Sequence, residues 1–197
     1  MALELLSRRC ALLAQIAFEI RRVALEKYDI VIIGGGIAGL STALHIRRNV
    51  NARLLLIDKG VIGDSTKTSP STFPDVVARF NLFDAVLQKY TRFTYRSPTG
   101  VTASFEYENP LFVTLDYQKI CNIMLNRIRK AGNTEVLEKT EAVGLEASKS
   151  VSTLKLILSN STNVWCNVLV DASGSNFFAL RQLGIGLLSL YSHAYGE

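Results

Sequence analysis

The spacing of apolar residues along this chain changes period several times, and each change marks an element. Ile30-Val31-Ile32-Ile33 is a short unbroken apolar run, the pattern of a strand buried on both faces. Three glycines follow, then a helix-like segment that ends in Arg47-Arg48, then a second apolar run, Leu54-Leu55-Leu56-Ile57, closed by Asp58. Together they predict a parallel strand-helix-strand unit. Upstream, Leu5, Leu12, Ile16, Ile20 and Val23 form one stripe of an amphipathic helix over residues 2–26, while Arg8, Gln15, Glu19, Arg22 and Glu26 form its other face. Packing on the domain or on a second subunit is the ordinary use of such a helix; binding at a membrane surface and organelle targeting are the alternatives.

Downstream of Asp58, Gly60, Gly63, Pro70 and Pro74 punctuate a polar loop containing Ser65-Thr66-Lys67-Thr68-Ser69. Pro74-Asp75 starts a helix expected to run through Phe80, Phe83 and Ala85 to Leu87, with proline at the first helical position. Phe93 to Arg96 and Val101 to Tyr107 alternate around Ser97-Pro-Thr-Gly100 and predict a β-hairpin. Phe112 to Leu115 reads as a strand leading into a helix from Gln118 to Lys130 that buries Ile120, Cys121, Met124, Leu125 and Ile128. Val136-Leu137, Ala142 to Glu146, Val151 to Leu158 and Asn163 to Val170 are further strands, the last ending in Asp171-Ala-Ser-Gly174. A parallel βαβ unit, an inserted α+β section and a return through a β-meander to one more core strand therefore follow one another. A simple nicotinamide dehydrogenase would keep alternating strand and helix instead.

The glycines carry the candidate chemistry. Gly34 permits a tight turn off the strand, Gly36 leaves no side chain where backbone must approach a diphosphate, and Gly39 lets the helix pack closely on the sheet. Gly35, Ile37 and Ala38 complete the turn, whose free N–H groups and helix dipole suit an anion. Asp58 ends the second strand where a carboxylate accepts ribose hydroxyls, with Lys59 beside it. An acid there disfavours a 2′-phosphate, so FAD or NAD is expected over NADP. A strand, turn and helix without a ligand is the bland alternative.

Composition narrows the class. The chain has 197 residues, 48% of them hydrophobic, enough for one domain with its own core. The net charge of +5 comes from basic residues scattered among apolar helix positions, a pattern of solvated helix faces and no nucleic-acid footprint. Cys10, Cys121 and Cys166 are odd in number and far apart, which fits a reducing, cytoplasmic compartment and gives no metal spacing. No run reaches the roughly 18 uninterrupted apolar residues of a spanning helix. His45 and His193 read as surface residues and Cys121 as a core filler. Phe73, Phe80, Phe83, Tyr90, Phe93, Tyr95, Phe105 and Tyr107 crowd the inserted section; core building is the favoured reading, an apolar substrate pocket the alternative.

The stretches Lys27 to Gly60, Leu115 to Gly132 and Val168-Leu-Val-Asp-Ala-Ser-Gly174 with Arg181 resemble FAD-dependent oxidoreductases of the p-hydroxybenzoate hydroxylase type, most closely the geranylgeranyl reductase branch with its lycopene-cyclase relatives. Tyr191 to Glu197 is also similar to a segment of these reductases. The resemblance implies an α/β fold: a Rossmann-like FAD/NAD(P)-binding domain with a β-meander, an inserted α+β section and the extra N-terminal helix. The helix would occupy residues 1–27, and the FAD-binding domain 28–197, interrupted at about 75–114 by part of a substrate domain. It further implies that Gly34, Gly36 and Gly39 contact the FAD diphosphate, Asp58 the adenosine ribose, Ala142 the adenine through its backbone, and Asp171 to Gly174 the wall near the dinucleotide.

The departures bear on catalysis. The family's second flavin motif, a Gly-Asp pair, and the rest of its substrate domain lie beyond Glu197, which leaves the chain looking truncated. Tyr117 stands where an Arg is usual, and the loop at 65–70 lacks the reductases' Pro-Cys-Gly segment. Lys67 and the hydroxyls of Ser65, Thr66 and Thr68 could still line a flavin or a substrate phosphate. Gly174 to Arg181 is one residue longer than usual, with Phe177 or Phe178 in place of Ser. The expected function is an FAD-dependent oxidoreductase acting on a small hydrophobic or isoprenoid molecule. A flavin mono-oxygenase and a non-catalytic dinucleotide-binding or interaction protein are the alternatives, with a membrane-surface or subunit contact through the N-terminal helix.

Overall fold

Ile33, Ile57 and Asp171 end three neighbouring parallel strands at one edge of a six-stranded sheet. In the computed structural model, which describes residues 27–64, 69–147 and 153–185, these strands are β1 (Lys27–Ile33), β2 (Leu54–Ile57) and β11 (Asn163–Asp171). The helix expected over 2–26, the hydroxyl-bearing loop at 65–68 and the segment Tyr191 to Glu197 lie outside the described residues.

Helix α1 (Ile37–Asn49) follows β1, and α3 (Tyr117–Ala131) precedes β8 (Thr134–Leu137), which joins the sheet parallel to β2. Strands β9 (Ala142–Ala147) and β10 (Leu154–Leu158) complete it in the order β8-β2-β1-β11-β10-β9. The expected meander and the expected core strand turn out to share β11. Its residues 163–166 pair antiparallel with β10, and 165–171 pair parallel with β1.

The unbroken apolar runs follow from burial on both faces. Ile32, Leu54 and Leu56 point toward α1 and α3, where Leu40, Ala43, Ile120, Met124 and Ile128 meet them. Val31, Ile33, Leu55 and Ile57 point the other way, onto Leu156, Val164, Cys166 and Phe178. Phe178 belongs to the short helix α4 (Phe178–Gln182).

The inserted section contains β3 (Ser71–Thr72), α2 (Pro74–Phe80), β4 (Val86–Tyr90), β5 (Arg92–Arg96), β6 (Thr102–Glu106) and β7 (Phe112–Leu115). The β5–β6 hairpin falls where alternation predicts it. The helix from Pro74 does not reach Leu87. It stops at Asn81, which is left-handed at φ 48°, and Arg127 of α3 donates to the freed carbonyls of Phe80 at 2.6 Å and Asn81 at 2.8 Å. Residues 86–90 pair with β7 instead, a long-range bond pattern that no helical period in the sequence reveals. The loop after Asp58 likewise contains a strand, since Ser71 and Thr72 pair with Thr114 and Val113.

The aromatic residues of this section are not core. Phe73 is 50% exposed, Phe83 60%, Tyr95 60% and Phe105 49%. Phe93, Tyr95, Phe105, Phe112 and Phe73 form a chain of ring contacts with centroids 4.8–6.3 Å apart. On the other face of the hairpin, Arg92 lies opposite Glu106 and Thr94 opposite Ser104. An amphipathic hairpin with its aromatic face this open is suited to hold something apolar.

Candidate dinucleotide-binding site

Where β1, β2 and β11 end side by side, the chain leaves a cavity of about 330 Å³, at the lower end of the range for small-molecule sites. Ligands of open α/β sheets bind at this edge, beyond the carboxyl ends of the strands. The turn after β1 closes it from one side. Gly34 has φ +104°, and a Cβ there would lie 2.2 Å from the Ala172 carbonyl oxygen. Its own N–H is held by Ile57 O at 2.8 Å, while Ala172 N–H is held by Ile33 O at 2.8 Å. The three strand ends are thereby locked to one another.

Helix α1 opens toward the cavity with no side-chain cap at Gly36 and no acidic residue in its first turn, whereas Arg47 and Arg48 occupy its last. No acid of α1 itself offsets the positive end of its dipole. Gly39 serves packing: a Cβ there would stand 1.8 Å from Gly34 O.

The Asp58 carboxylate faces the cavity at the end of β2. Its Oδ2 accepts the Gly35 amide at 2.6 Å and its Oδ1 the Gly60 amide at 2.7 Å. An ionised carboxylate has about four acceptor positions, so both oxygens retain capacity for ribose hydroxyls.

Six of the residues singled out from sequence line the cavity: Gly34, Gly36, Asp58, Lys59, Ala142 and Gly174. Gly35, Ile37, Ala38, Gly39 and Asp171 do not. Asp171 is committed to its own turn, accepting Ser173 N at 3.0 Å, Ser173 Oγ at 2.6 Å and Ala179 N at 2.7 Å. The longer segment after Gly174 is taken up by a 3₁₀ turn and a left-handed Phe177, which sends Phe178 into the core at 5% exposure. Tyr117, Thr140, Glu141, Ser173 and Asn176 also line the cavity. Ser173 belongs to the stretch from Asp171 to Gly174 expected as a wall, and Tyr117 holds the position where an Arg is usual in the resembling family; Thr140, Glu141 and Asn176 arrive from distant segments and leave no local signal.

Tyr117 and Cys121 sit one helical turn apart on α3. Burial, with the neighbouring Cys121 and then Asp58, raises the Tyr117 hydroxyl from 10.0 to about 12 against the opposing pull of the Ile37 amide. Burial likewise raises the Cys121 thiol. His45 is exposed on α1, as expected. Among the described residues no cluster of three or more His, Cys, Asp or Glu could hold a metal ion, and no helix is long and apolar enough to cross a membrane.

The family model that matches the chain, over residues 29–72, is that of FAD dependent oxidoreductases. The glycine-rich segment is similar to that of FAD dependent oxidoreductases. LodB of Marinomonas mediterranea, whose name assigns it as an FAD-dependent oxidoreductase, is 26% identical over 177 residues, 82% of this chain and 47% of LodB. Among solved structures, the p-nitrophenol 4-monooxygenase PnpA of Pseudomonas putida superposes with a TM-score of 0.65 at 17% identity, over 81% of this chain and 44% of PnpA. A geranylgeranyl bacteriochlorophyll reductase-like protein of Thermoplasma acidophilum superposes with a TM-score of 0.62 at 19% identity, over 75% of this chain and 39% of that protein. At these identities the structures speak for the fold, which is the Rossmann-like α/β fold expected. The chain spans less than half the length of the curated relatives it matches.

Proposed function

We propose that this chain is the N-terminal, FAD-binding part of an FAD-dependent oxidoreductase and that it holds the ADP half of the cofactor. The observation that carries this reading is the uncapped N-terminus of α1, opening into a cavity that Asp58 at the end of β2 also lines. The residues fit that half of FAD. Gly34 and Gly36 leave backbone bare where the diphosphate would approach, Asp58 keeps acceptors for the ribose, and Thr140, Glu141 and Ala142 offer a wall for the adenine. When bound, FAD supplies the redox chemistry, and the chain's residues orient it. The ribose contact of Asp58 favours a cofactor without a 2′-phosphate, and NAD is the weaker alternative.

The substrate reading is a hydrophobic, isoprenoid-like molecule. The open aromatic face of the β5–β6 hairpin, continued by Phe112 and Phe73, supports an apolar ligand over a charged one. The curated relatives' greater length leaves room for further substrate-binding elements outside this chain.

Titration of FAD into the purified chain, followed by flavin fluorescence and by thermal melting, tests the reading. Saturable quenching and a melting point raised by FAD, with no rise from NADP, are expected. No quenching and no shift at high FAD would overturn it.

A further inference from the structure

Tyr117 is the first residue of α3, and its phenol reaches across to the first turn of α1. A Cβ built on Gly36 would lie 3.4 Å from the Tyr117 hydroxyl oxygen. The Ile37 amide at the start of α1 is close enough to the hydroxyl to favour its ionised form against the effect of burial. The stem is firmly held. Asp116 caps α3 through the Lys119 amide at 3.0 Å, the Asp116 amide is bound by Ala85 O at 2.8 Å, and Ile120 and Cys121 behind it are fully buried or nearly so. Tyr117 itself lines the cavity.

We propose that Tyr117 is a positioning residue for the cofactor's diphosphate, its hydroxyl donating a hydrogen bond to a phosphate oxygen seated at the N-terminus of α1. This rests on the FAD reading above and adds a contact from outside the glycine motif. Three features favour the assignment. The hydroxyl lies beside the amide at which an anion would sit, so a phosphate oxygen received there meets both donors. Burial keeps the phenol protonated throughout the physiological range, so it offers a proton to the anion and does not repel it. The dipole of α1 favours an anion at its N-terminus and no acid in its first turn offsets it, the Asp58 carboxylate being held on the Gly35 and Gly60 amides.

The test compares wild type with Tyr117→Phe, which keeps the ring that packs at the head of α3 and removes only the hydroxyl. Binding of FAD, ADP and adenosine is titrated, with apo melting curves as the control for folding. A hydrogen bond to a charged group is worth roughly tenfold in affinity. The expected result is a loss of about that size for FAD and ADP, little change for adenosine and unchanged apo melting. An equal loss for ADP and adenosine would mean a merely structural role and overturn the proposal. Unchanged or tighter FAD binding would do the same, because a phenol that only blocks the seat improves binding when its hydroxyl is removed. In both cases the FAD reading survives, since wild type still binds. If wild type binds neither FAD nor ADP, both readings fall.

Discussion

The Gly35 amide donates to Asp58 Oδ2 at 2.6 Å, tying the turn after β1 to the end of β2 across 23 residues of chain. With Gly60 N–H on Oδ1 at 2.7 Å, this carboxylate is the local centre of the candidate site before any ligand arrives.

Replacing Asp58 by Asn keeps the shape and one acceptor but turns an NH₂ group toward a backbone N–H. One amide then loses its partner. Urea unfolding of Asp58→Asn is expected to show a loss of about 1–3 kcal/mol, and the same variant should bind FAD more weakly. Unchanged stability would mean that the two amide bonds contribute nothing net.

Gly39→Ala and Gly100→Ala separate close approach from backbone strain. The methyl at residue 39 would sit 1.8 Å from Gly34 O, a backbone atom of the strand-to-helix turn, whereas at Gly100, with φ +87°, nothing lies within 4 Å. Gly39→Ala should cost more than about 3 kcal/mol or prevent folding. Gly100→Ala should cost only about 1–2 kcal/mol. Thermal or urea melts of the two variants rank them directly.

Cys121 and Cys166 are both fully buried free thiols. Burial pushes the Cys166 thiol from 9.0 up to about 11, leaving little thiolate at neutral pH. Alkylation followed by peptide mass mapping should leave both unlabelled in the native protein and label both in denaturant. Rapid native labelling of either would contradict the packing around α3 or β11.

The same shifts set an alkaline limit on stability. Cys166 rises to about 11 and Tyr117 from 10.0 to about 12, so the folded state holds these protons more tightly than the unfolded state. A raised folded-state pKa gives stability that is fully present below the unfolded value and is lost as pH climbs through the folded one. Unfolding free energy is therefore expected to fall between about pH 9 and pH 12. Absorbance of tyrosinate in the folded protein should show Tyr117 titrating later than free tyrosine, and Tyr117→Phe should remove that contribution while leaving that of Tyr28, whose hydroxyl burial and Glu135 also push up.

How much could be read in advance depended on the range of the interactions. The strand-turn-helix-strand from Lys27 to Asp58 was legible because its constraints are local. Apolar runs buried on both faces, a left-handed Gly34 and a close approach at Gly39 each demand a residue type at one position. The β5–β6 hairpin and α3 were legible for the same reason, through alternation and a 3.6-residue stripe. The end of α2 was not, because it is set by Arg127 binding the Phe80 and Asn81 carbonyls and by β4 pairing with β7, both partners more than 25 residues away.

The sequence by itself determined the α/β class, the glycine turn, Asp58 at the tip of β2 and the kind of ligand such a turn receives, since backbone conformation and charge at a strand end are properties of neighbouring residues. Only the tertiary structure decided that Tyr117 stands over the head of α1, that Asp171 serves its own turn instead of the cavity, and that the aromatic residues of the insert form an open face. The first two outcomes depend on how distant strands such as β1 and β11 are brought side by side in one sheet, and no periodicity in the chain records that pairing.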